Sequence, residues 1–183
     1  QGISPDDILQ QGFIKGMDSV GKKFSEHKIF VPQMLMSAKS MSIAMLHLKP
    51  FFQSGEAKRK GIFIIGTVAG DLHEIGKNLA AMMIAGGGWE VIDLGKDVAV
   101  VKIVAAVKKH KAQVVALSAL MTTTMVEMPV VINALKKAGL KVKTMIGGAV
   151  VTGDYAASIG ADAYAKDAVE AARVIKNLLA DSV

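Results

Sequence analysis

The chain has 183 residues, 51% hydrophobic and 21% charged, with 22 Lys+Arg against 16 Asp+Glu for a net charge of +6. This is globular composition, enough for one large domain or two small ones. Zero cysteines exclude disulfides, iron–sulfur ligation and thiolate zinc sites, so any metal arrives on other ligands or inside a cofactor. No apolar run approaches the roughly 18 residues of a membrane span, and no signal segment opens the chain. The basic run Lys108-Lys109-His110-Lys111 reads as a solvated helix end, so the expectation is a soluble, cytoplasmic protein with neither nucleic acid nor membrane as partner.

Residues 1–53 read as helical. Ser4-Pro5-Asp6-Asp7 supplies a cap, a first-turn proline and acidic residues, the order that starts a helix. Pro32 opens a longer one, in which Met34, Ala38, Met41, Met45 and Leu48 fall on one stripe. About three helical segments are visible before a polar, glycine-flanked stretch, residues 54–61, that reads as a linker. Strands and helices then alternate. Strands are expected near Ile62–Thr67, Glu90–Leu94, Val114–Leu117, Lys143–Ile146 and Ala163–Tyr164, and helices near 76–86, 98–110, 126–138, 153–159 and 167–180. Alternation of this kind predicts an α/β domain over 62–183: a doubly wound, Rossmann-type parallel sheet of five strands. In the flavodoxin-like order 2-1-3-4-5, a crevice opens between strands 1 and 3.

The first strand runs into Gly66–Asn78, whose centre, Asp71-Leu72-His73-Glu74-Ile75-Gly76, is an Asp-x-His-x-x-Gly pattern. His73 therefore falls on a strand-to-helix loop at the carboxyl end of a strand, where such folds place ligands. A histidine there is compatible with simple solvation, and an aspartate two residues earlier with a turn or cap. The same pair also suits a metal: the carboxylate of Asp71 can accept one ring N–H and leave the other nitrogen as donor. One histidine is too few for a zinc site, yet it suffices for a metal already held by a macrocycle. Gly76 removes a side chain at the start of the next helix. The second crevice loop, Ser118 to Thr124, carries four hydroxyls that can cap a helix or hold a ligand. A phosphate cradle is poorly supported, since no Walker pattern is present and Gly86-Gly87-Gly88 ends a helix.

Asp-x-His-x-x-Gly, followed by Leu117-Ser118-Ala119-Leu120 and Ile146-Gly147-Gly148, resembles the cobalamin-binding domain of methionine synthase and the corrinoid proteins of methanol, methylamine and methoxyaromatic methyltransfer. The second group is the closer match, because Val20–Phe24 and Phe30–Met34 are similar to its helical cap. The resemblance implies bound cobalamin in the base-off/His-on form, with His73 as the cobalt ligand, Asp71 behind it and Thr124 completing the relay. It implies that Ser118, Leu120 and Thr122 meet the cofactor tail, with Gly76, Gly147, Gly148, Ala165, Asp167 and Ala168 also along the cofactor. In the cap, part of the Met stripe, with Phe30 beside it, suits either core or the cofactor's upper face. The family's cap is a four-helix bundle, so a first helix is expected to be missing or naturally absent. The implied function is a carrier cycling between Co(I) and methyl-Co(III), non-catalytic by itself. It would accept a methyl group from a substrate-specific methyltransferase and deliver it to a second one acting on a folate or thiol, with a reductive activator as further partner. The alternatives are the cobalamin subunit of an adenosylcobalamin mutase, a cobalamin-dependent sensor, and a flavodoxin-like interaction domain. Methyl donor, acceptor, corrinoid form and oligomeric state are not legible.

Overall fold

In the computed structural model, residues 2–55 and 57–178 are described. The chain divides into two compact units, Gln1–Lys60 with Met82–Glu90 and Gly61–Ala81 with Val91–Val183. No described helix is long and apolar enough to cross a membrane.

In the first unit the hydroxyl of Ser4 accepts the Asp7 N–H at 3.0 Å and starts α1 (Pro5–Asp7). The helix then widens into a π-helical stretch, Ile8–Ile14, and continues as α2 (Lys15–Ser25). After a short break α3 (Val31–Ser54) begins with Pro32 in its first turn, the side chain of Gln33 accepting the Phe30 N–H at 3.1 Å. It stops at Gly55, whose φ of 83° is the left-handed stop that glycine takes without strain. The expected three segments are thus two continuous helical runs among the described residues. The Met stripe of α3 is core: Met34, Ala38, Met41 and Leu48 are buried, and Met45 packs with Phe13 and Phe52 on Leu9, Ile14 and Leu48. His47, on the opposite side of α3, is exposed. The stretch read as a linker is tied into this unit. Its Ala57 N–H bonds the Phe51 carbonyl and its Lys60 N–H that of Gly88. Arg59 lies 4.7 Å from the Phe52 ring centroid and pairs with Glu90, a cation–π contact that a polarity pattern cannot reveal. Glu56 of this stretch lies outside the described residues.

The second unit is built on β1 (Ile62–Thr67), β2 (Glu90–Asp93), β3 (Val114–Ser118), β4 (Lys143–Gly147) and β5 (Ala163–Ala165), in the order β2-β1-β3-β4-β5. β1 pairs parallel with β3, β3 with β4 and β4 with β5. The central strands are buried along nearly their whole length, as expected of a sheet covered on both faces. Ile64, Val115, Leu117 and Ile146 from the strands meet Ile103 and Val107 of α5 (Val100–His110) and Met128, Ile132 and Leu135 of the 127–137 helix. The helix of 75–86 is α4 (Ile75–Gly86). The helix expected over 126–138 is α7 (Glu127–Lys137), and a short helix that was not expected, α6 (Thr122–Met125), precedes it. Pro129 has no N–H to donate to the carbonyl of Met125, and the hydroxyl of Tyr155, on α8 (Gly153–Ser158), donates to that carbonyl at 2.8 Å. The last helix, α9, runs Ala168–Leu178; the expected 179–180 lie outside the described residues. Strand order reverses direction between β1 and β3, so their carboxyl ends flank the switch point where open α/β sheets bind ligands.

Candidate functional site

Thr67 and Ser118, the last residues of β1 and β3, are register partners. Beyond them the two loops are joined by the Val68 N–H to the Ser118 carbonyl at 3.0 Å. Gly70 turns the chain at φ 78° and drops Asp71 into the interior, where it is 0% exposed. Four donors meet its carboxylate. Oδ1 accepts from the His73 backbone N–H at 3.0 Å and faces His73 Nδ1 at 2.7 Å. Oδ2 accepts from the Leu120 N–H at 2.7 Å and the Thr124 hydroxyl at 2.7 Å. An ionised carboxylate has about four acceptor positions, so Asp71 is saturated, and it ties the β1–α4 loop to the β3–α6 loop. Burial opposes its charge, but the Leu120 amide, the Thr124 hydroxyl and the two His73 donors outweigh that and hold it well below the usual carboxylate range.

Because Asp71 is acceptor-only when ionised, the hydrogen-bond network assigns the ring proton of neutral His73 to Nδ1 and the lone pair to Nε2. The His73 side chain is 51% exposed, and Nε2 has no partner among the described residues. The two loops also carry exposed apolar side chains: Leu72 at 63%, Ile75 at 79%, Leu120 and Met121. A Cβ added at Gly76 would meet nothing within 4 Å. The arrangement is one oriented nitrogen donor standing in an open, apolar rim. No group of three or more His, Asp or Glu among the described residues could hold a metal ion, so the donor set suits a metal that brings its remaining ligands with it.

Apart from Phe30, the other expected site residues fall along the same carboxyl edge, with local duties of their own. Ser118 is half-buried at the end of β3, and Thr122 opens α6, exposed. Leu120 contributes its backbone N–H to Asp71, a role that its side-chain type does not advertise. Gly147 and Gly148 have packing reasons to be glycine: a Cβ would lie 2.7 Å from the Ala165 carbonyl oxygen and 1.8 Å from that of Ala119, respectively. Asp167 caps α9 by accepting the Glu170 N–H at 2.8 Å, between buried Ala165 and half-buried Ala168. Phe30 belongs to the first unit and is 63% exposed.

Several supporting residues escape a sequence reading. The hydroxyl of buried Thr67 donates to the His73 carbonyl at 2.8 Å. Lys77, also buried, pairs with Asp93 and donates to Asn78 at 2.6 Å. Asp97 takes the Gly70 N–H at 2.7 Å, and Tyr155 holds the end of α6. Lysine and aspartate 16 positions apart carry no local pattern; only the strand order brings them together.

Residues 61–173 match the B12 binding domain family, and residues 1–49 match a second B12 binding domain family. The chain therefore belongs to the B12-binding proteins, and within them to the corrinoid proteins of methyltransferase systems. It is 41% identical over 182 residues to trimethylamine corrinoid protein 1 of Methanosarcina acetivorans, covering 97% of this chain and 84% of that one. Over 181 residues it is 42% identical to dimethylamine corrinoid protein 1 of the same organism, covering 97% and 85%. Among solved structures it is similar to the methanol:cobalamin methyltransferase complex MtaBC of Methanosarcina barkeri, at 32% identity and a TM-score of 0.85, covering 96% of this chain and 68% of that one.

Proposed function

We propose that this chain holds a corrinoid through His73 in the base-off/His-on form and carries methyl groups between two methyltransferases. The observation that carries this is the half-exposed His73 imidazole, its Nδ1 fixed 2.7 Å from buried Asp71 and its Nε2 directed away from that carboxylate within an apolar rim. When bound, the corrinoid supplies a cobalt centre able to accept and give up a methyl group. The protein's share is to present Nε2, to hold the Nδ1 proton against Asp71 and to buffer that carboxylate with the Thr124 hydroxyl. Ser118 and Thr122 are suited to hydrogen-bond a cofactor tail entering the crevice, and Leu120 to pack beside it. Gly76, Gly147, Gly148, Ala165, Asp167 and Ala168 are proposed to border the same cofactor, and Phe30 to cover its upper face. The substrate-side partner is proposed to be a methylamine-type methyltransferase, because the relatives are trimethylamine and dimethylamine corrinoid proteins. The acceptor-side partner is a methyltransferase loading a folate or thiol, and a reductive activator serves oxidised cobalt. The mutase reading is not favoured, since the relatives are methylamine corrinoid proteins that match along nearly the whole chain.

The test is reconstitution with hydroxocobalamin, gel filtration, and electron paramagnetic resonance after one-electron reduction, for the parent and His73→Ala. The expected result is a retained corrinoid whose Co(II) signal carries splitting from one axial nitrogen, absent in the variant. Loss of all corrinoid from the parent on the column, or identical spectra from the two proteins, would sink the assignment of His73.

A further inference from the structure

The loop that presents His73 is not self-supporting. Residues 71–74 have no helical or strand conformation, and apart from the His73 N–H, which Asp71 accepts, main-chain atoms around the imidazole are held by groups from outside it. The Thr67 hydroxyl donates to the His73 carbonyl at 2.8 Å. From the β2–α5 loop, the Asp97 carboxylate accepts the Gly70 N–H at 2.7 Å, while the Asp97 N–H donates to the Asp71 carbonyl at 3.0 Å. Flanking bonds, Thr67 N–H to the Gly95 carbonyl and Val98 N–H to the Thr67 carbonyl, both 3.0 Å, lace the two loops along their length.

Asp97 itself stands at φ 52°, a left-handed conformation that L residues enter at a cost and that Asp and Asn tolerate best. Such a conformation persists where the surroundings over-determine it, and here two hydrogen bonds do so, one from each end of the residue. The residue is exposed, so its carboxylate bonds Gly70 in competition with water and through backbone placement. Asp71 fixes the rotation of the imidazole and holds the His73 N–H at 3.0 Å; the His73 carbonyl and the backbone of Gly70 and Asp71 are held by Thr67 and Asp97.

We propose that Asp97 and Thr67 are positioning residues that set the height and direction of the His73 backbone, and so the strength with which Nε2 can ligate a corrinoid cobalt. This rests on the assignment of His73 as the ligand. The hydrogen bonds that both residues make to this loop go to main-chain groups and not to the imidazole.

Three variants separate the contributions. Asp97→Gly removes the carboxylate and keeps a residue at ease in the left-handed region; Asp97→Asn keeps an oxygen acceptor; Thr67→Val removes the hydroxyl at similar volume. Each full-length variant is reconstituted with hydroxocobalamin and reduced by one electron. The ratio of Co(II) with to Co(II) without axial-nitrogen splitting is then read, alongside amide hydrogen exchange of Gly70–His73 in the corrinoid-free chain. In Asp97→Gly the ratio should fall about tenfold, the lower end of the usual effect of an outer partner on a metal ligand. Asp97→Asn should stay within about twofold of the parent, and Thr67→Val should shift in the same direction as Asp97→Gly. The proposal is overturned if Asp97→Gly leaves the ratio unchanged while exchange accelerates, or if Asp97→Asn falls as far as Asp97→Gly. A parent protein with no axial nitrogen would instead remove the His73 assignment and this proposal with it; a parent with one, unchanged in all three variants, removes this proposal alone.

Discussion

Asp71 spends both oxygens on four donors, two from its own loop and two from the loop after β3. Replacing it therefore does two separable things. Asp71→Asn offers one acceptor oxygen and one NH2 group, so one pair of donors faces another donor across a buried site, and the imidazole loses its charged anchor. Corrinoid ligation should weaken by about 10- to 100-fold, and His73→Ala should lose more; a titration with hydroxocobalamin followed by absorbance measures both. Thr124 tests the same network from the other side. Its hydroxyl makes a buried bond to a charged acceptor, a class worth about 1.5–3 kcal/mol. Thr124→Val should lower stability by that amount in urea unfolding, whereas Thr124→Ser, which keeps the hydroxyl, should cost under about 1 kcal/mol. A loss in Thr124→Ser with none in Thr124→Val would mean that the methyl group of Thr124, and not its oxygen, matters.

At the scale of elements, the joint between α6 and α7 delivers Thr124 to Asp71, and it depends on a proline and a distant phenol. Pro129 leaves the Met125 carbonyl without its helical donor, and Tyr155 supplies one from α8. Tyr155→Phe should cost about 1 kcal/mol, the net worth of a part-buried hydrogen bond, and should weaken corrinoid ligation as well, because the end of α6 that carries Thr124 loses its anchor to α8. A stability loss with unchanged ligation would show that α6 does not need the anchor. The periodicities of the sequence carried the five strands, since alternating apolar runs and helical stripes are one-dimensional signals; their order and the carboxyl-edge crevice came from the flavodoxin-like fold class that such alternation fits. The Asp71, His73 and Thr124 constellation was legible through its residue types and the resemblance they carry. What stayed hidden were contacts between a side chain and a remote backbone group, such as Tyr155 to Met125, Asp97 to Gly70 and the Leu120 N–H to Asp71. Backbone donors have no residue type to announce them. The continuity of the first helical run escaped as well: a π-helical stretch carries the chain from α1 into α2.

For the molecule as a whole, the carboxylates whose charge the fold favours make stability depend on pH in one direction. Asp71, Asp162 and Glu170 all lie below their ordinary ranges. Burial opposes the charge of Asp71 and is outweighed by its donors; burial also opposes that of Asp162, outweighed by the Thr144 amide and hydroxyl and by Lys143. For Glu170 the Lys166 amide leads. A carboxylate whose folded-state pKa is depressed contributes stability that is fully present above the unfolded value, near 4, and is lost as pH falls toward the folded value. Acid also raises the net charge above the +6 of neutral pH, and self-repulsion then weakens any compact state. The two effects separate by subtraction, because repulsion acts on parent and Asp71→Asn nearly alike while the Asp71 linkage exists only in the parent. The stability gap between them should therefore be widest and flat above about pH 5, then narrow steadily below about pH 4. Urea unfolding of both proteins at half-unit steps from pH 7 to pH 2.5, at fixed ionic strength, measures that gap. A gap constant across the range would mean that Asp71 is not more acidic in the folded chain than in the unfolded one, and that its four donors serve geometry without favouring its charge.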